Sequence, residues 1–343
     1  MKKLKVGIVG CGNIFPMHAY PTNDLETAEI VAICDNKKDR ADAKAKDFNC
    51  QAYYDFETMI DQVELDVVHL CTPHYLHPPM AIYALNHGVN VMTEKPMGID
   101  YESSKKMVET AKNNNKLLGV IFQNRYNAGS QLVKKLLNDG CLGKIKSAKC
   151  SITWDRSDLY YSYSDWKGTW DKEGGGVIID QAIHTLDLMR WLIDEKIEYI
   201  DASIANRAHE KIEVEDCAEG VIKFKSGIFA SFFAINYYSY DAPIEIELHC
   251  ENGIAKIIEN TATVKLNDGR QFYAEKNPSE IFDYGNVKDY WGVSHIKQIK
   301  NYYECLENGK VPYVPCESAL ETMKMICGIY DSGKQKQRIV FTD

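Results

Sequence analysis

Several things are scarce in this 343-residue chain, and each scarcity removes a class of function. It carries no basic excess: 40 Lys and Arg stand against 49 Asp and Glu, a formal net charge of −9. A surface that holds nucleic acid through its phosphates is built from clustered cations. The short pairs Lys37-Lys38 and Lys134-Lys135 read as solvated faces instead. No apolar run reaches the length needed to span a bilayer, so a membrane partner is not expected. No C-x-x-C occurs among the 11 cysteines, so a zinc knuckle and a thioredoxin-type motif are both excluded. The closest two cysteines are Cys141 and Cys150, and several, such as Cys34, Cys71 and Cys327, sit in apolar runs. They read as small buried hydrophobes, and reduced thiols suit a cytoplasmic location. The opening "MKKLKVGIVG" leads straight into a fold motif, so a signal peptide is not expected. Internal repeats and low-complexity linkers are missing too.

What is present is an alternation of strand and helix patterns over the first 120 residues or so. Strand-like runs at 4–10, 29–35, 50–54, 66–73, 90–96 and 116–125 alternate with helix-like stretches after Pro16 and at 39–48, 56–62, 77–88 and 103–115. Continuous apolar strands separated by helices of this length imply βαβ units and a parallel sheet covered on both faces. Beyond residue 125 the pattern changes. A helix at 130–140, an alternating strand at 144–154, a hairpin over 219–238 about Ser226-Gly227 and another over 244–258 about Asn252-Gly253 suggest an antiparallel sheet with helices on one face. Two helical stretches follow, at 293–308 and 317–331. The expected fold is an α/β doubly wound parallel sheet of Rossmann type. An α+β domain with a large, mostly antiparallel open sheet follows it. The boundaries fall at 1–124, 125–315 and 316–343, the last segment returning to the first domain.

The first strand ends in "GIVGCGNIFPMHAY" (7–20). The dinucleotide fingerprint is G-x-G-x-x-G between a strand and a helix. Gly10 and Gly12 match it, and Phe15 stands where the third glycine belongs. Gly10 lets the chain leave the strand sharply, and Gly12 has no Cβ to bar a pyrophosphate. The helix that follows turns its N–H groups toward that phosphate. Asn13 and Ile14 line the same turn. The third glycine serves helix–strand packing, so Phe15 alters packing and leaves the phosphate chemistry intact. Asp35, closing "EIVAIC", is the acid expected at the end of the second strand to receive the ribose hydroxyls. Its charge repels a 2′-phosphate, which favours NAD; Lys37, Lys38 and Arg40 close behind keep NADP open.

Two more stretches bear chemistry. "TEKP" (93–96) ends a predicted parallel strand, where ligands bind. Lys95 there could bond a reacting oxygen, or form a surface pair with Glu94. "EGGGVIIDQAIHTLDLMRWL" (173–192) sets Asp180 and His184 four apart on one face of a predicted helix, behind a glycine run. They could act as an acid/base pair at neutral pH. Alternatively, Asp180 caps the helix and His184 is packed in the core. His74 and His77 are three apart but lack partner cysteines or acids, so no metal is expected. Trp166, Lys167 and Trp170 could contact a sugar or anchor a loop. Arg125 could bind a substrate anion or pair with an acid at the domain junction. Tyr160, Tyr161 and Tyr163 could serve as interface or loop packing, and His295 reads as structural.

The glycine turn, the E-K-P after a parallel strand and the G-G-x-x-x-D-x-x-x-H pattern together resemble the Gfo/Idh/MocA oxidoreductases. So do "CTPHYLH" (71–77) and "FQNRY" (122–126), and the likeness runs over nearly the whole chain. It implies that Lys95 lies beside the nicotinamide and the reacting hydroxyl, that His184 is the catalytic base, and that Asp180 positions substrate with it. Thr72, Pro73, His77 and Glu94 would line the cofactor cleft. Apart from the resemblance, Arg125, Trp166 and Lys167 are the candidates for contact with substrate. The resemblance further implies a sugar, inositol or polyol bound between the domains, and a homodimer or homotetramer formed through the second sheet. Two other outcomes occur among such proteins. One is a glycosidase that uses NAD transiently through oxidation and elimination. The other is a cofactor-binding sensor without turnover.

Overall fold

A computed structural model describes residues 3–275, 277 and 292–342. The chain divides into two compact units, one reaching Gln123 and rejoined up to Leu320, the other running from Asn124 and resumed at Glu321.

The first unit is the doubly wound sheet. Strands β1 (Leu4–Val9), β2 (Ala28–Cys34), β3 (Gln51–Tyr53), β4 (Val67–Leu70), β5 (Asn90–Thr93) and β6 (Leu118–Val120) lie in the order β3-β2-β1-β4-β5-β6. All pairings are parallel. Between them run α1 (Phe15–Asn23), α2 (Lys38–Asp47), α3 (Phe56–Gln62), α4 (His77–Asn86) and α5 (Tyr101–Asn113). The strand order reverses between β1 and β4, and ligands in such sheets bind at that crevice, beyond the carboxyl ends of the strands. Val67 through Leu70 are buried in succession, His69 included, as a strand covered by helices on both faces requires.

The second unit holds a nine-stranded sheet ordered β14-β13-β12-β11-β7-β10-β9-β8-β15. Its strands are β7 (Ile145–Thr153), β8 (Ile197–Ala205), β9 (Cys217–Phe224), β10 (Phe229–Ile235), β11 (Glu245–Cys250), β12 (Gly253–Ile258), β13 (Thr261–Leu266), β14 (Gln271–Ala274) and β15 (Ile339–Val340). The expected hairpin at Gly227 joins β9 to β10 in register from Phe229↔Lys223 to Ile235↔Cys217. The other hairpin turns one residue earlier than expected, since Cys250 pairs with Gly253. Every pairing is antiparallel except β7 with β10. That parallel neighbour and the strand β8 lie outside what the sequence pattern predicts. Helices α6 (Ala128–Asn138) and α8 (Ile183–Ile193) cover one face, α6 over β12–β14 and α8 over β7 and β11. A short α7 (Asp158–Ser162) follows β7.

The C-terminal segments depart from the expected boundaries. Helix α9 (Gly292–Asn308), assigned from sequence to the second domain, packs on α1 and belongs to the first unit. Its Ile299, Tyr302 and Tyr303 join the core around Val6, Ile8 and Phe15. From Glu321, most of α10 (Cys316–Gln335) and the final strand belong to the second unit, where β15 extends the sheet edge beside β8. Amphipathic helices advertise an apolar face but not the sheet that will cover it.

Candidate active site

In the first unit the glycine turn separates two kinds of glycine. Gly10 has φ +92°, and a Cβ there would strike the backbone of Cys71. Around Gly12 a Cβ would meet nothing within 4 Å. Gly10 is thus demanded by the fold, whereas Gly12 borders open space. No side chain caps the start of α1 beside it, and Ile14 occupies the N-cap position. The end of β2 is tied to this turn: Asp35 Oδ2 accepts the Cys11 N–H at 2.7 Å and Oδ1 accepts the Lys37 N–H at 2.8 Å. Phe15 is buried and meets Phe48 edge-on at 5.8 Å, filling the space that a third glycine would leave. Beyond β4, the Thr72 hydroxyl oxygen is buried with no hydrogen-bond partner among the described residues. An open glycine, an uncapped helix start, an ordered acid and an orphaned hydroxyl together fit a dinucleotide. Gly12, Asn13, Ile14, Asp35 and Thr72 would hold it.

Two of the expected cofactor contacts are committed elsewhere. His77 is fully buried, with Nδ1 2.7 Å from the Pro96 carbonyl and Nε2 2.8 Å from the Thr72 carbonyl. It therefore joins the T-P and E-K-P segments instead of lining a cleft. Glu94 is also buried, and its carboxylate is taken up by His18, His295 and the Lys95 N–H.

In the second unit Val177–Ala182 forms a π-helical turn that leads into α8. The single helix face expected to carry both Asp180 and His184 is therefore replaced by a junction of two helix types. Widened turns of this kind recur at functional sites. Asp180 does not cap α8: the N-cap is Ala182, with no side-chain bond. Instead Asp180 Oδ2 receives three donors. They are the Tyr160 hydroxyl at 2.6 Å, Lys167 Nζ at 2.7 Å and Gln181 Nε2 at 2.7 Å. Lys167 Nζ also lies 2.6 Å from the Tyr160 oxygen and 4.8 Å from the Trp166 ring centre. Burial opposes the Lys167 charge, yet Asp180, Tyr160 and Glu173 outweigh it and hold its pKa well above the ordinary value. Burial, helped by the charge of Asp180, pushes Glu173 up to about 8 against the pull of Lys167. His184 sits in the first turn of α8, half-buried, with Nδ1 shielded from solvent.

The glycine run ahead of this turn is close-packed. A Cβ on Gly175 would strike the Tyr330 hydroxyl, and one on Gly176 would strike the Glu215 carbonyl. Buried Glu215 binds the run by accepting N–H groups from Gly176 at 2.9 Å and Ile178 at 3.0 Å, with the Tyr330 hydroxyl at 2.9 Å. Trp170 anchors the preceding loop, its indole N–H donating to the Glu213 carbonyl at 2.9 Å and its ring meeting Tyr330 edge-on. Arg125, expected to contact substrate, is fully buried. It pairs with Asp187 through Nε to Oδ2 at 2.8 Å and Nη2 to Oδ1 at 2.6 Å, so its fork is filled by α8. Tyr160, Glu173 and Glu215 were not legible as site residues. Only the seven-residue step from Tyr160 to Lys167, which straddles a loop, hints at one of them.

Among the described residues no His/Cys/Asp/Glu cluster fit for a metal occurs, and no helix is long and apolar enough to cross a membrane. One chain thus carries a six-stranded doubly wound sheet with an open glycine turn and a half-buried Lys–Asp–Tyr cluster four residues from a histidine. The chain belongs to the Gfo/Idh/MocA family. Residues 4–122 match the family described as "Oxidoreductase family, NAD-binding Rossmann fold", and residues 130–256 match its C-terminal domain. It is 30% identical over 215 residues to 2,7-anhydro-N-acetylneuraminate hydratase of Mediterraneibacter gnavus, 61% of this chain and 54% of that one. It is 33% identical over 197 residues to D-glucoside 3-dehydrogenase of Escherichia coli, 55% of this chain and 54% of that one. The match thus spans about half the length of these curated relatives. The WlbA dehydrogenase of Bordetella pertussis, solved with NADH and UDP-GlcNAcA, superposes with a TM-score of 0.87. That alignment, at 27% identity, covers 100% of this chain and 99% of the other.

Proposed function

We propose that this protein catalyses NAD-dependent hydride transfer at a CH–OH carbon of a sugar, inositol or related polyol. The observation that carries the proposal is the Asp180 carboxylate. Its Oδ2 accepts from Tyr160, Lys167 and Gln181, and it stands four residues before His184. A fixed carboxylate of this kind suits accepting a substrate hydroxyl and steadying charge on an imidazole. It does not suit donating a proton.

Bound NAD supplies the hydride acceptor. His184 takes the proton of the substrate hydroxyl as the C–H bond is broken, and general-base help of this sort contributes about 10²–10⁴-fold. Lys95 donates a hydrogen bond to the same oxygen and stabilises the charge that develops there, an effect worth roughly 3 kcal/mol. Asp180 and Lys167 hold the substrate hydroxyls, and Trp166 offers a ring to the apolar face of the sugar.

The test is absorbance at 340 nm with NAD or NADP and a panel of sugars, inositols and sugar acids. NADH should appear with at least one, and H184A should lower turnover at least ~10²-fold while NADH affinity stays within about twofold. If NAD binds and no member of the panel is oxidised, the dehydrogenase reading falls. The similarity to a hydratase favours one second reading, in which oxidation is followed by elimination and re-reduction. It would show as release of free sugar from a glycoside without accumulation of NADH.

The sheet of the second unit leaves Phe229, Phe233, Ile254, Ile258 and Tyr273 exposed. We assign this apolar face to a second copy of the chain, as a homodimer or a larger homo-oligomer. Light scattering of the purified protein tests it, and a monomer that persists at micromolar concentration would reject it.

A further inference from the structure

Five buried polar side chains of the first unit form one continuous chain. The Tyr303 hydroxyl lies 2.9 Å from His69 Nε2, and His69 Nδ1 lies 2.9 Å from His18 Nδ1. His18 Nε2 lies 3.0 Å from Glu94 Oε1, and His295 Nε2 lies 3.3 Å from that same oxygen. The members come from α9, β4, α1 and the end of β5, and none is more than 7% exposed. Buried ionisable groups are costly unless fully paired, so a run of five calls for a reason.

The pairing limits where the protons can sit. An ionised Glu94 only accepts, so His18 Nε2 carries hydrogen. In the arrangement with His18 uncharged, its bare Nδ1 accepts from Nδ1–H of His69. His69 Nε2 is bare in turn and accepts the Tyr303 hydroxyl proton. Every contact receives one donor and one acceptor without charging either ring. Burial and the neighbouring His18 hold the His69 pKa well below its ordinary value, in keeping with a neutral ring. Burial works against a charge on Glu94, but the bonds from His18 and His295 outweigh it and hold its carboxyl well below the usual range.

The chain ends at Lys95. Glu94 Oε2 accepts the Lys95 backbone N–H at 3.1 Å, and His77 faces the carbonyl of the next residue, Pro96, at 2.7 Å. Lys95 is thus bracketed by two buried, hydrogen-bonded side chains. We propose that Glu94 is a positioning residue for Lys95, held in place by His18, His69, Tyr303 and His295, so that loosening it lowers turnover without weakening cofactor binding. The proposal rests on the reading of Lys95 as the residue that polarises the reacting oxygen. Reacting groups must be held within fractions of an ångström, and that rigidity has to come from supporting side chains.

The experiment compares H18L, H18Q and E94Q with the parent in kcat, KM and NADH affinity by fluorescence, together with ring ¹⁵N spectra of the parent's histidines. H18L and E94Q should lose roughly tenfold to a hundredfold in kcat with NADH affinity within about twofold. H18Q keeps an amide donor for Glu94 and should recover most of that loss. The spectra should show His18 protonated at Nε2 alone and His69 at Nδ1 alone. Full kcat in H18L, equal impairment of H18L and H18Q, or an equal loss of NADH affinity would overturn the proposal. So would the opposite tautomers. If H18L does not fold, E94Q and the spectra decide. K95A separates the two layers. Turnover that survives K95A removes the role of Lys95 itself, whereas a dead K95A beside a fully active H18L removes only the positioning.

Discussion

Lys167 Nζ lies 2.7 Å from Asp180 Oδ2, and the Tyr160 hydroxyl lies 2.6 Å from both groups. The three form a closed triangle in which the ammonium donates twice and the carboxylate accepts twice. Removing the cation leaves Asp180 partly buried against Glu173, with two carboxyl groups and no counter-charge. K167M should therefore cost roughly 3–5 kcal/mol of stability, the range for breaking a buried pair by deleting one partner. It should also lower kcat/KM by at least ~10². Urea denaturation and steady-state kinetics measure the two effects. Parent-like values in both would mean that the triangle is not a working unit.

The glycine turn yields a sharper test, because its residues should fail in different ways. G12V places side-chain atoms in open space beside the start of α1, so the protein should fold normally and lose NADH binding. G10A forces a Cβ onto the Cys71 backbone at φ +92°, so the fold itself should suffer. F15G empties a buried aromatic site packed on Phe48 and should cost about 3–5 kcal/mol, with NADH still bound by the folded fraction. Melting curves with and without NADH distinguish the three. A G12V protein that still gains stability from NADH would remove Gly12 from the cofactor site.

Much of this was legible in the chain itself, and the reasons differ by element. The parallel sheet could be read because strands buried on both faces are written as unbroken apolar runs, as in Ile30–Cys34. The glycine turn between β1 and α1 and the acid just after β2 could be placed because the fingerprint has fixed spacing and a strand-to-helix turn at φ +92° calls for glycine. Strand β8 could not, since Ile197–Ala205 alternates weakly and derives its order from β9 and β15. The place of α9 depended on which core would take Tyr302 and Tyr303. The choice between a substrate anion and a partner acid for Arg125 stayed open because its partner Asp187 is 62 residues away. A separation of 39 residues from Gly176 likewise hid Glu215 from the glycine run that it binds. His18 and His69 went unread for a simpler reason: a histidine's chemistry is set by what it faces, and His18 meets His69 of β4 and Glu94 beyond β5 from an adjacent helix.

Glu215 predicts a pH dependence of stability whose sign can be worked out. Burial raises its carboxyl from 4.5 to about 7, against the pull of the Ile178, Gly176 and Tyr330 donors. Above the unfolded value the denatured chain releases this proton while the folded protein keeps it. The folded state then binds more protons, so stability falls as pH rises. The contribution is complete below about 4.5 and lost by the time the pH passes about 7, a decline on the order of 3 kcal/mol. Glu173, raised to about 8, extends the same trend upward. Chemical denaturation at pH 5 and at pH 8 should show the parent less stable at the higher pH, and E215Q should show a shallower decline. An unchanged slope in E215Q would mean that Glu215 titrates alike in both states.

Arg125 and Asp187 form a fully buried, two-bond ion pair, with Asp187 also accepting the Thr322 hydroxyl at 2.6 Å. Two of the Arg125 donors are engaged by Asp187 and the side chain is fully buried, so it is not presented to a substrate anion. R125A should leave buried Asp187 without its bonded cation, with only the more distant charge of Arg190 to offset it, and cost roughly 3–5 kcal/mol. R125K restores the charge but not the planar two-bond geometry, and should recover only part of that loss. Once folded, both variants should keep the parent's KM for neutral and for acidic sugars alike. A KM that rises only for sugar acids or sugar phosphates would return Arg125 to the substrate site and make the pairing with Asp187 secondary.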